Sequence, residues 1–224
     1  MTAGIQIFND SGYIQITESY RNMQYIGKGT IASFTDLLLP TNVLHIAFRC
    51  ATSRVGVIYN GVDASTGQVR VRFATPTVGT VVTYYMFGYP TTKSGSMFEI
   101  YDGSGRLVFS DNNTYMKVLA SQAGSITEAN IYSGFSTSEG NTVATVATTA
   151  GLTTAVLLGS FISKLRVPVN SPAGIAIWGM AFTFNATSIL AQTVFHYMTS
   201  PPADDNYWSV NLDYNFLVID VTNL

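Results

Sequence analysis

Val69-Arg70-Val71-Arg72-Phe73 alternates strictly between apolar and charged side chains, a period of two that only an extended strand turns into two different faces. It puts Arg70 and Arg72 on one face and Val69, Val71 and Phe73 on the other, so the arginines read as a solvated sheet face sooner than a binding feature. Working outward, Val43-Leu44-His45-Ile46-Ala47-Phe48, Val55-Gly56-Val57-Ile58-Tyr59 and Thr80-Val81-Val82-Thr83-Tyr84-Tyr85-Met86-Phe87 read as further strands. Gly174 to Trp178, Ala181 to Phe184 and Phe216 to Val221 do the same in the second half. Turn clusters punctuate them: Asn60-Gly61, Ser65-Thr66-Gly67, Asp102-Gly103-Ser104-Gly105 and Ser171-Pro172-Ala173-Gly174. No segment sustains a helical period. The expectation is an all-β chain, mostly antiparallel, built as two β-sandwich-like domains.

Composition narrows the setting. Only 11 % of the 224 residues are charged, against roughly 25 % in an average globular protein, and the net charge is -2. The deficit is filled by 27 Thr and 20 Ser, and Thr suits the open face of a sheet. With 13 Tyr, 13 Phe and 2 Trp the chain is too aromatic for a disordered one, and it lacks the cationic field of a nucleic-acid binder. Met1 to Gln6 carry neither a basic n-region nor an apolar h-region, so no signal peptide is expected. Asn141 to Ser163 has no charge, but Thr residues and Gly151 interrupt it, and two strands about a turn near Ala150-Gly151 fit better than a membrane span.

Chemistry is sparse. Cys50 stands alone in a strand-like run and reads as a small buried hydrophobe. His45 and His196 are the only histidines, both in strand patterns, and no His/Cys cluster has the spacing of a zinc site. Gly27-Lys28-Gly29-Thr30 lacks the upstream glycine and following helix of a phosphate loop. No nucleophile elbow occurs. We therefore expect no enzyme, no catalytic residue, no metal and no cofactor. The one candidate binding group is Asp204, Asp205, Tyr207 and Trp208, where acids stand beside sugar-stacking aromatics. Asp204, Asp205 and Asn206 offer oxygen ligands that would suit Ca²⁺; an ordinary polar loop is the plainer reading.

An internal repeat is the most informative feature. Ile5-Gln6-Ile7-Phe8-Asn9-Asp10-Ser11-Gly12-Tyr13-Ile14-Gln15-Ile16 returns without a gap, 93 residues later, as Phe98-Glu99-Ile100-Tyr101-Asp102-Gly103-Ser104-Gly105-Arg106-Leu107-Val108-Phe109. The unit reads as strand, turn, strand. Gly12 and Gly105 would take the positive φ of a tight turn, and Asn9 and Asp102 would cap it. The Gly/Pro/Ser/Thr stretch from Gly88 to Ser96 precedes the second copy, and it suggests an N-terminal β-domain over 1–91 and a C-terminal one over 92–224.

The opening Ala3 to Gly12, with Tyr84-Tyr85-Met86-Phe87-Gly88-Tyr89-Pro90 and the second hairpin to Ser110, resembles a group of small tailed-bacteriophage proteins encoded among the tail-tip genes. The resemblance covers residues 1 to 120. It implies a virion structural component near the distal end of the tail, made in the bacterial cytoplasm, that assembles with other tail proteins. It also implies a homo-oligomer, with three-fold association common at tail tips, and a place near a host-surface receptor. A carbohydrate-binding module or depolymerase using the Trp208/Asp204 region and a capsid or decoration protein are the alternatives. Neither nucleic acid nor membrane insertion is expected. Val167 to Ala203 holds no charged residue in 37 positions. Its strands lack the lysines that monomeric sheets place on their edges, which suggests surfaces facing partner subunits.

Overall fold

The computed structural model describes residues 6–8, 14–17, 22–63, 66–91, 95–126, 141–160, 163–166, 175–199 and 209–224. Among the described residues none is helical; regular structure is β throughout. Six strands form one antiparallel sheet in the order β11 (Lys117–Ser125), β18 (Asp213–Asp220), β13 (Thr154–Ser160), β5 (His45–Arg49), β8 (Val81–Gly88) and β3 (Gln24–Ala32). A second antiparallel sheet runs β12 (Asn141–Ala147), β16 (Ser188–Thr199), β15 (Ile175–Phe184), β6 (Val55–Val62), β7 (Val69–Ala74) and β4 (Asp36–Leu38). Beside it, β14 (Ser163–Arg166) pairs with β15 and with β17 (Ser209–Asn211).

The two sheets face each other across one core, as the period of two requires. Phe48 and Phe216 of the first sheet meet Phe73 and Phe182 of the second. Ring centroids lie 5.2 Å apart for Phe48–Phe73, 6.0 Å for Phe48–Phe182 and 5.0 Å for Phe182–Phe216. Val55, Val71, Val82, Val156, Met180 and Val218 fill the space around them, all essentially without solvent contact. Burying a side chain of this size contributes about 1.5–3 kcal/mol, so the rings joining the sheets hold the sandwich together.

The sheets differ on their outer faces. In the six-stranded sheet the alternate residues Ala47, Tyr85, Phe87, Ala155, Leu157 and Ile219 are buried too, with Met23, Tyr25, Met116 and Leu217 packed on them. A sheet covered on both faces needs continuous apolar runs, which explains Ala155-Val156-Leu157 and Leu217-Val218-Ile219. Burial raises the Tyr85 phenol above its ordinary pKa, against a smaller opposing effect of the Arg49 charge. The second sheet turns Arg70 and Arg72 outward, and the alternation first read at Val69 to Phe73 is that of a sheet with one wet face.

Two hairpins stand outside the sheets, β1 (Gln6–Phe8) with β2 (Ile14–Thr17) and β9 (Glu99–Tyr101) with β10 (Leu107–Ser110). Their registers coincide under the 93-residue shift. Gln6↔Thr17, Ile7↔Ile16 and Phe8↔Ile14 become Glu99↔Ser110, Ile100↔Phe109 and Tyr101↔Leu107. Even the bulge is shared, with Gln15 and Val108 as the extra residue. The internal repeat is thus a repeat of structure in register.

Three expectations change. The division into 1–91 and 92–224 does not divide the sheets: β5 pairs with β13, and β6 with β15, so each sheet takes strands from either side of residue 91. The stretch from Gly88 to Ser96 marks a loop, and loop composition carries no information about which distant strands pair. Asn60-Gly61 is not a turn; it continues β6 to Val62, and the chain reverses over Asp63 to Gln68 with Gly67 at φ 70°. Finally, β15 of the charge-free run is an interior strand, with β16 on one side and β14 and β6 on the other, so edge protection is not required of it. β16 meets β12 only from Ser188 to Thr193, and its residues 194–199 pair with β15 alone among the described residues. The strands about Gly151 are real, but β12 and β13 belong to opposite sheets and the turn crosses the sandwich.

Candidate functional site

Asp204, Asp205, Tyr207 and Trp208 lie outside the described residues, in the segment between β16 and β17. The other singled-out residues can be placed. Arg72 forks onto Asp36, Nε to Oδ1 at 2.6 Å and Nη2 to Oδ2 at 2.9 Å. Arg70 Nη1 stands 3.5 Å from both Asp36 Oδ2 and Asp63 Oδ2. Two cations and two anions balance, and the hydrogen bond from Arg72 holds the Asp36 carboxyl below the usual carboxylate range. The arginine pair is therefore a closed ion network on a sheet face and offers an anion no open charge.

Cys50 is buried, its Sγ 3.5 Å from the Val81 carbonyl oxygen and 3.7 Å from Thr52 Oγ1, as a structural thiol would be. His45 is an exposed residue at the start of β5. His196 falls at a bulge of β16, skipped between Ile177↔Tyr197 and Trp178↔Phe195. Lys28 belongs to strand β3 and donates to the Leu224 main-chain oxygen, so Gly27-Lys28-Gly29-Thr30 is extended backbone rather than a phosphate loop. Among the described residues no three His, Cys, Asp or Glu side chains converge as a metal site would need.

The second hairpin is the most developed local surface. Gly105 takes φ 74°, and Asp102 caps the turn by accepting from Ser104 N at 2.8 Å and Arg106 N at 3.0 Å. The Arg106 guanidinium adds a bond of 2.7 Å. The backbone donor at Arg106 and that guanidinium together keep the Asp102 carboxyl below its ordinary range. Behind the turn, Phe109 stacks on Tyr115 at 5.1 Å and 15°, and Phe98 leans on Phe109 at 6.3 Å. The Tyr115 hydroxyl accepts from Ser110 N at 2.6 Å, and Met97 N donates to the Asp111 carboxylate at 3.2 Å.

On this frame Met97 is 93 % exposed, with Phe98 and Tyr101 half out of the protein. The arrangement suits apolar surface contact and holds no nucleophile with an adjacent base. Sequence reasoning missed Met97 because it follows a Gly/Ser stretch where nothing signals which way a lone apolar side chain points. Comparison with protein-family models, with curated proteins and with solved structures found no match.

Proposed function

We propose that this chain is a non-enzymatic structural component of a bacteriophage virion, in the tail-tip or fibre region, that assembles with other tail proteins and contributes to host attachment. The observation that supports the reading is the pair of hairpins sharing one register and one bulge, because those hairpins carry the resemblance to tail-tip proteins. The exposed Met97, Phe98 and Tyr101 beside the Asp102-capped turn give such a protein an apolar contact surface. Antibody labelling of intact particles tests the proposal. Label at the distal tail is expected; label on the head would replace this reading with a capsid or decoration role.

A further inference from the structure

Among the described residues no further strand pairs with the lateral side of the sandwich formed by β11 and β12, and on β11 Gln122 Nε2 reaches the Ala123 main-chain oxygen at 3.5 Å. Among the described residues β11 pairs with β18 alone and β12 with β16 alone, and the two strands lie against each other across the sheets. The direction of each backbone group follows from register. Ile126 N donates to Leu212 O at 3.0 Å, in line with Ser125↔Asp213 and Gly124↔Tyr214. Antiparallel pairs alternate between bonded and non-bonded. Gly124, Gln122 and Ala120 therefore bond to β18, while Ser121, Ala123 and Ser125 turn their N–H and C=O groups outward. On β12, Thr148 N donates to Thr187 O at 2.8 Å in register with Ala147↔Ser188, so Thr145 and Ala147 face outward by the same rule.

Neither edge is guarded by charge over this stretch. Val118 to Ser125 and Asn141 to Ala147 contain no Lys, Arg, Asp or Glu, and Val118 and Leu119 are 46 % and 38 % exposed. Monomeric sheets usually interrupt such edges.

We propose that this side is a self-association surface: a second copy of the chain adds its own β11 and β12, antiparallel, about a two-fold axis normal to the sheets. Such an axis maps each sheet plane onto itself, so β11 meets β11 and β12 meets β12 in one step. A single extended peptide would satisfy only one of the two edges. Centring the pairing on Ala123 sets Ser121 opposite Ser125 of the second copy, keeps outward groups opposite outward groups, and leaves Lys117 beyond the paired stretch. No like charges are opposed. The proposal gives the assembly reading its surface and rests on that reading for its use in a particle.

Light scattering on the full chain over a concentration series tests it, with charge variants at the axis. The wild-type mass should rise from 24.2 kDa towards twice that value. Ala123→Lys and Ala123→Glu, each on an exposed position, should each weaken association about tenfold or more, since each sets like charges face to face. Mixing the two variants should restore association, which loss of folding in either one could not do. A wild-type chain that stays at 24.2 kDa to its solubility limit, or reaches three times that mass, overturns the proposal, as does a mixture no tighter than its components. A monomer that still labels the distal tail would refute the pairing and spare the tail assignment; a dimer absent from tails would do the reverse.

Discussion

The two lateral edges of the sandwich begin alike and end differently. Each edge strand of the six-stranded sheet has a glycine lying under a tyrosine of its neighbour, Gly29 opposite Tyr84 and Gly124 opposite Tyr214. A Cβ would stand 2.6 Å from Tyr84 Cζ at Gly29, and 2.6 Å from the Tyr214 hydroxyl oxygen at Gly124. The rings supply the burial that the glycines lack. Beyond this, the β3/β4 side is guarded. Lys28 sits mid-strand, a bulge falls between Tyr25 and Gly27, and β4 is only three residues long, pinned by the Asp36–Arg72 fork. Among the described residues of β11 and β12 the only cation is Lys117 at the strand end, held to Asp220 at 3.1 Å. Similar packing with unequal protection shows that the open edge is a property of its surface residues and not of a weaker core.

That comparison can be broken in graded ways. Phe182→Ala removes the ring that bridges Phe48 and Phe216, and should destabilise both sides together by about 3–5 kcal/mol in denaturant unfolding. Gly29→Ala and Gly124→Ala should each cost about 1–3 kcal/mol by displacing a tyrosine. Thermal melts that show a loss at one position only would end the likeness between the two edges.

The smallest effect concerns charge. Hydrogen bonds hold the carboxyls below their ordinary range, from Arg72 in Asp36 and chiefly from the Thr222 hydroxyl in Asp220. A depressed folded value means stability that is present above the unfolded carboxylate range and lost as pH falls through the folded value. Asp36→Asn should therefore cost about 1 kcal/mol or less at neutral pH and flatten the acid arm of a stability–pH curve. An unchanged acid arm would show that the exposed fork on the guarded side contributes nothing.

Strands and turns were legible because they are local. The alternation at Val69 to Phe73, the Asp102 cap and the positive φ of Gly105 depend on neighbours within a few residues. The pairing of β5 with β13 and of β6 with β15 joins residues more than a hundred positions apart, and no composition shift near Gly88 to Ser96 could announce it. The charge-free run was equally silent on placement. Absence of charge marks an edge and an interior strand alike, and Val167 to Ala203 includes both β15, paired on either side, and residues 194–199 of β16, paired with β15 alone among the described residues. Among the described residues β11 and β12 are edges without charge over Val118 to Ser125 and Asn141 to Ala147, and their Ser, Thr and Gln side chains carry no signal that separates a free edge from solvated sheet.

Residue-resolved hydrogen exchange on β11 puts the contrast between the edges to its most direct test. Gln122 and Gly124, bonded to β18, should exchange slowly at every protein concentration. Ser121 and Ala123 should exchange fast in dilute protein and become protected as concentration rises, while the amides of β3 show no such dependence. Outward amides of β11 that exchange at one rate across the whole concentration range would contradict the account.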